Sequence, residues 1–401
     1  MSSTCTTSFW PGSNMPAKTK VTICYGPPSW FEEVLGKGAR TYLLDALNER
    51  DAAMRRHRHT IDGQERSVGE EVAPRVKRLI AMTGDYASVS EHAITNFVGL
   101  VREIDPKHLV LHNPPELVHA QLKRAFPTEI LRFEYPVLKR DALRMFRDGF
   151  GGRLVGQAAV RERMLAALYP LTTPRRLKPV VLMFYGPSGV GKTETAQFVN
   201  DLIGGTLLRK QFSMFHSEKF ASYVFGGAHS EGSFARDLLD RSSGVILLDE
   251  FDKAASVFHS AFYEVFDEGV FEDKNYRVRL GPALIICTSN YESEGDIRNA
   301  LGEALYSRFD ALIRFAALSR DEIALVIRRL VDDRFTHLTS EDGALLSADA
   351  ISEELIERAG RVGNVRKLGK LVDEVMALKL VRAVLSSTDA DSCPDIAVEG
   401  A

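Results

Sequence analysis

The chain has 401 residues, enough for two or three domains at roughly 100–200 residues each. A hydrophobic fraction of 45% with 26% charged residues is that of a soluble globular protein and excludes disorder over most of the length. The 51 basic and 54 acidic residues leave a net charge of −3, which by itself calls for neither a nucleic-acid nor a membrane partner, although a local basic patch fits within it.

Residues 1–18 read as a disordered Ser/Thr-rich tail. They carry no charged start followed by an apolar stretch, so no secretory leader is expected and the default compartment is the cytoplasm. Residues 19–140 read as a small α/β domain. Val21–Tyr25 is a strand stopped by Gly26-Pro27-Pro28, and His108–Leu111 is another, closed by Asn113-Pro114-Pro115. Glu116–Phe126 has helical spacing, and Glu129–Tyr135 alternates as a strand does. The run Arg55-Arg56-His57-Arg58-His59 is either a contact for nucleic acid or an acidic partner, or a solvated helix end. The pairs His108/His112 and Glu116/His119 lack a third ligand at metal-binding spacing. Cys5, Cys24, Cys287 and Cys393 are scattered, with no CxxC, so neither a disulfide framework nor a zinc site is expected.

A helix over Lys139–Asp148 meets Gly149 and then Gly151-Gly152, a plausible domain joint. Residues 141–318 alternate apolar strands with helices, the pattern of a parallel α/β sheet. The longest apolar run, Val180–Tyr185, is far too short to span a bilayer. Residues 319–388 are helical only, over Asp321–Arg334, Ala348–Ala359 and Val365–Leu385, and 389–401 form a polar tail.

Val180–Tyr185 is apolar throughout, as a strand buried on both faces should be. It leads into Gly186-Pro187-Ser188-Gly189-Val190-Gly191-Lys192-Thr193, followed by Glu194 and a helix to Ile203. This is a phosphate-binding loop. Glycines let backbone N–H groups curl round a phosphate, and the helix N-terminus points its positive end at the same anion. Lys192 is placed to reach the β- and γ-phosphates of ATP, and the Thr193 hydroxyl to ligate Mg²⁺.

Gly244–Leu248 is a second buried strand, ending in Asp249 and Glu250. In a parallel sheet ligands collect at the carboxyl ends of strands. Asp249 suits the metal and its water shell, and Glu250 suits the activation of an attacking water. The plain alternative is a capping pair for the helix expected over Lys253–Phe266. Ala283–Cys287 ends in Thr288-Ser289-Asn290, where Asn290 is placed to hold the same water or the γ-phosphate.

Together these residues resemble an AAA+ ATPase over about 150–370, and specifically the Clp-type unfoldases and disaggregases. Arg153-Leu154-Val155-Gly156-Gln157 resembles the opening motif that lines the adenine pocket. Asp249-Glu250-Phe251-Asp252-Lys253-Ala254, Phe266–Gly269 and Phe271–Asp273 follow the family pattern without a gap, which would make Asn290 a sensor 1 residue. Leu305–Asp310 resembles the segment bearing the arginine finger, implying that Arg308 acts in trans and that the chain works in a ring, with a hexamer as the expected number. Gly363-Asn364-Val365-Arg366 resembles a sensor 2 motif, with Arg366 on the phosphates.

The sequence also departs from the Clp pattern. Gly-Asn-Val-Arg stands where Gly-Ala-Arg is usual, a form closer to enhancer-binding AAA+ activators. The aromatic pore loop falls on Val224-Phe225-Gly226-Gly227 or, in another register, on Ser222-Tyr223-Val224; a loop that does not thread polypeptide is the third option. No peptidase-docking tripeptide is present. The resemblance implies an α/β P-loop ATPase that remodels a protein client. The competing readings are a nucleic-acid loader or helicase-like machine and an ATP-dependent signalling switch.

Overall fold

The computed structural model describes residues 19–58, 75–173, 176–214, 218–359 and 364–390. The expected tails, His59 and Gly363 lie outside these residues, as do the side chains of 55–58 at the end of the helix Leu43–Arg58. Two compact units form. The first gathers Met1–Tyr135 with two segments from further along the chain, Ser217–Ser242 and Phe271–Arg279. The second gathers Pro136–His216, Ser243–Val270 and Leu280–Ala401.

The first unit is built on five parallel strands: β1 (Lys20–Tyr25), β2 (Thr41–Tyr42), β3 (Arg78–Ala81), β4 (His108–His112) and β5 (Thr128–Arg132). Their order is β2-β3-β4-β1-β5. β1 lies between β4 and β5 and is buried from Val21 to Tyr25, as a mostly apolar interior strand should be. The strand expected to reach Tyr135 stops at Arg132. Beyond it Phe133 N–H still donates to the Tyr25 carbonyl (2.8 Å), while Tyr135 donates its hydroxyl to the Leu239 carbonyl (3.4 Å). The histidines are absorbed into structure. His112 is buried between the Thr83 hydroxyl (2.7 Å) and the Gly26 carbonyl (2.8 Å), and His119 meets the Tyr25 hydroxyl at 2.7 Å. Among the described residues no group of three His, Cys, Asp or Glu side chains is placed to hold a metal.

The second unit contains β6 (Val180–Tyr185), β7 (Leu208–Gln211), β8 (Val245–Asp249), β11 (Leu284–Thr288) and β12 (Ala311–Arg314). The hairpin β9 (Val270–Glu272) and β10 (Arg277–Arg279) falls between β8 and β11 in the chain. The five strands are parallel, in the order β12-β6-β11-β8-β7. β11 separates β6 from β8, and its register aligns Thr288 with Phe184 and Cys287 with Leu248. Three strand ends therefore finish at one edge, and with them the loops carrying the expected site residues.

The helix expected to end at Gly149 instead runs from Arg140 to Arg153, through all three glycines. The glycine serves packing. A Cβ on Gly149 would lie 2.9 Å from the Phe198 ring, on the helix Lys192–Ile203. The helix expected over Lys253–Phe266 is broken into short turns, with α-helix over Ser256–His259 and Tyr263–Glu268.

The helices Arg320–Phe335, Ala348–Ala359 and Val365–Ala390 share a separate apolar core that includes Ile327, Val331, Leu355 and Leu368. Ser319 and Glu322 form a capping box that starts the first of them. Among the described residues no helix is long and apolar enough to cross a membrane.

Candidate active site

The phosphate-binding loop leaves β6 with its glycines in conformations other residues resist. Gly186 has φ +123° and Gly191 φ +105°. A Cβ at Gly186 would lie 2.2 Å from the Phe315 carbonyl oxygen, and one at Gly191 would lie 2.5 Å from the Leu154 side chain. Both strain and space therefore demand glycine here.

A cavity of about 790 Å³ opens over this loop. Ser188, Gly189, Val190, Gly191, Lys192, Thr193 and Glu194 line it, together with Asp249, Glu250, Asn290 and Arg366. Leu154, Val155, Leu318, Val326 and Leu330 give it an apolar side. Of the expected loop residues, Gly186 and Pro187 are not in the lining. Their carbonyls instead accept hydrogen bonds from Lys192 Nζ at 2.6 and 2.8 Å. The same ammonium donates to Asn290 Oδ1 at 3.2 Å. Burial pushes Lys192 down to about 8, against the pull of Asp249 and Asp252, with Arg366 pushing the same way as burial.

Asp249 ends β8 and accepts a hydrogen bond from the Thr288 hydroxyl. Its other oxygen accepts from Arg209 Nε at 3.1 Å and from a second guanidinium nitrogen. Glu250 takes φ +54°, a left-handed conformation that costs a non-glycine residue about 1–3 kcal/mol. Its N–H donates to Thr288 Oγ1 (2.9 Å), and its carboxylate accepts from Gln211 Nε2 at 3.2 Å. The Glu250 side chain lines the cavity. Thr193 hydroxyl and Asp249 carboxylate form the hard oxygen donor set that suits Mg²⁺. The Arg209 guanidinium pairs with that same carboxylate, so an ion held there would share or displace this partner.

Arg209 and Gln211 had no signature in the sequence. They sit on β7, whose register pairs Gln211 with Asp249. Only the strand order β11-β8-β7 shows that they belong to the cavity.

Arg308 is not part of the cavity lining. It pairs with Asp267 Oδ2 (2.7 Å), donates to the Ala304 carbonyl, and lies over the Tyr263 ring at 4.7 Å. Arg366 sits at the start of the helix Val365–Ala390, its N–H donating to Asn364 Oδ1 at 3.0 Å. The two aromatic candidates differ. Tyr223 is half-buried and donates its hydroxyl to Asp237, whereas Phe225, ending the helix Glu218–Phe225, is 42% exposed.

Residues 178–320 match the family described as AAA domain (Cdc48 subfamily). Over this part of the chain the relatives are Clp-type AAA+ proteins. It is 27% identical over 304 residues to the chaperone protein ClpB of Chlamydia pneumoniae, covering 65% of this chain and 34% of ClpB. It is 29% identical over 218 residues to the ATP-dependent Clp protease ATP-binding subunit ClpE of Streptococcus pneumoniae, covering 47% of this chain and 29% of ClpE. The chain thus spans about a third of the length of the curated relatives it matches. Its fold is also similar to a closed-state cryo-EM reconstruction of Hsp104 with ATPyS and FITC casein, at a TM-score of 0.53 and 20% identity, over 77% of this chain and 61% of that one. Within the second unit the strand order β12-β6-β11-β8-β7 places loop, carboxylates and Asn290 around one cavity.

Proposed function

We propose that the protein binds Mg·ATP in this cavity, hydrolyses it, and uses the cycle to remodel a protein client. The observation that carries the reading is the convergence of Lys192, Asn290, Asp249 and Glu250 on one cavity with an apolar side. The apolar residues around Leu154 and Val155 suit the adenine ring. Thr193 and Asp249 would hold Mg²⁺, which would supply positive charge against the phosphates. Lys192 binds the β- and γ-phosphates, and Arg366 adds a second positive group. Glu250 takes a proton from the attacking water, and Asn290 holds that water in line.

Arg308 completes the site from a neighbouring subunit in a ring. Its pairing with Asp267 keeps it outside the cavity of its own chain. Arg308→Ala should bind ATP normally and lose turnover by about 10³-fold, since a trans arginine stabilises transition-state charge. A variant turning over at the wild-type rate would remove it from the reaction.

Protein remodelling is tested by the response of the ATPase to an unfolded polypeptide, with single-stranded DNA as the parallel arm. Stimulation by the polypeptide supports the reading, and stimulation by DNA alone replaces it with a nucleic-acid machine. Phe225 is the residue proposed to grip the client, because it is exposed while Tyr223 is engaged with Asp237. Phe225→Ala should keep basal turnover and lose most of the stimulation. Tyr223→Phe should behave as wild type in the same assay, and the reverse pattern would move the role to Tyr223.

A further inference from the structure

The segment bearing Phe225 is built into the N-terminal unit, and a short run of hydrogen bonds leads from the N-terminal sheet to the loop. The helix Glu116–Ala125 follows β4, with Pro115 as its N-cap. A first-turn N–H has no partner within its own helix. That of Glu116 donates to the Asn275 carbonyl at 2.9 Å. Asn275 lies at the tip of the β9–β10 hairpin, and its side chain donates to the Gly227 carbonyl at 3.0 Å. One residue earlier, Lys274 N–H donates to the Phe225 carbonyl at 3.0 Å. The backbone on both sides of Gly226 is thus pinned by the hairpin tip, which is pinned by the helix. Gly226 permits the approach: its φ is +86°, and a Cβ there would lie 2.8 Å from the Lys274 nitrogen.

A second link stands apart from the first. Asn113, fully buried at the end of β4, is clasped by Gly26, whose N–H donates to it (3.0 Å) and whose carbonyl accepts from it (2.9 Å). It also donates to Asp240 Oδ1 at 2.7 Å, at the end of the helix Phe234–Asp240. That helix in turn holds Tyr223 through Asp237. The Phe225 segment is therefore attached to the N-terminal sheet at both ends.

We propose that the N-terminal domain sets the position of the Phe225 loop, with Asn275 as the positioning residue that passes the constraint from the Glu116 N–H to the Gly227 carbonyl. The functional consequence rests on the proposed role of Phe225 in gripping a client. The N-terminal domain would then hold the residue that grips the client, so that displacement of one moves the other.

The link can be cut at one atom. Proline lacks the N–H and is favoured at the first helical position, and Pro115, at ψ 150°, already has the extended backbone that a residue before proline requires. Glu116→Pro therefore removes the donor and keeps the helix, while Glu116→Ala keeps the donor as a control. Hydrogen exchange of the full chain should rise about 2- to 10-fold over residues 222–228 in Glu116→Pro and in Asn275→Ala, the range expected for one lost hydrogen bond. It should not change in Glu116→Ala. Polypeptide-stimulated turnover should fall in the same two variants, with basal turnover retained. Wild-type exchange over 222–228 in both variants would overturn the coupling. If Glu116→Pro loosens the whole N-terminal sheet, Asn275→Ala decides by the same measurement. Raised exchange with unchanged stimulation would keep the coupling and reject Phe225 as the gripping residue.

Discussion

Lys192→Ala is expected to weaken ATP binding by about 10²-fold or more, the loss associated with removing one partner of a buried, hydrogen-bonded charge pair. Its ammonium is the buried positive group at the floor of the cavity, held at 2.6, 2.8 and 3.2 Å by two loop carbonyls and Asn290. Alanine removes the charge and leaves the Gly186 and Pro187 carbonyls without that donor. The substitution therefore also loosens the loop that offers its N–H groups to the phosphates. Titration with a fluorescent nucleotide measures the change, and near wild-type affinity would count against the phosphate assignment.

The same residue implies a pH dependence. Burial lowers Lys192 to about 8. Phosphate contact favours the charged form and raises that value. Below pH 8 the lysine is already protonated, and binding takes up no proton. Above it, binding must charge the lysine first, so affinity should fall by up to tenfold per pH unit. Calorimetry at pH 9 in two buffers of different ionisation enthalpy should reveal close to one proton taken up, and none at pH 7. Lys192→Arg should remove the effect.

Glu250→Gln is expected to keep ATP affinity and lose turnover by about 10²–10⁴-fold, the contribution of a positioned general base. Glutamine keeps the shape and an oxygen acceptor for Gln211 Nε2, but cannot take a proton. The strained backbone at φ +54° and the bond to Thr288 remain, so the side chain should stay in place. A single-turnover measurement with labelled ATP separates binding from hydrolysis. Normal turnover would remove Glu250 as the base. The trapped, ATP-loaded form is also the natural bait for co-purifying clients.

Much of the candidate site was legible because its chemistry is local in sequence. A glycine-rich loop after an apolar strand needs its residues at fixed spacing, and Asp249-Glu250 needs only a buried strand in front of it. Arg209 and Gln211 were not legible. They reach Asp249 and Glu250 from a different strand, 39–40 residues away, and no spacing rule marks a cross-strand partner. The glycines at 149–152 misled for a related reason. Glycine often ends a helix, but Gly149 is kept for packing, since the Phe198 ring would lie 2.9 Å from a Cβ there.

By itself, then, the sequence determined the phosphate loop, the two carboxylates, the parallel α/β class and a chain too ordinary in charge to name a partner. Tertiary structure alone decided which strands lie beside one another, hence that Arg209 and Gln211 join the cavity. It also decided that residues 217–242 and 271–279 pack with the N-terminal sheet. The physical reason is common to both. Motifs are written by contacts along the chain, whereas sheet order and the clasp of Asn113 on Asp240, 127 residues apart, arise only when distant apolar surfaces are buried together.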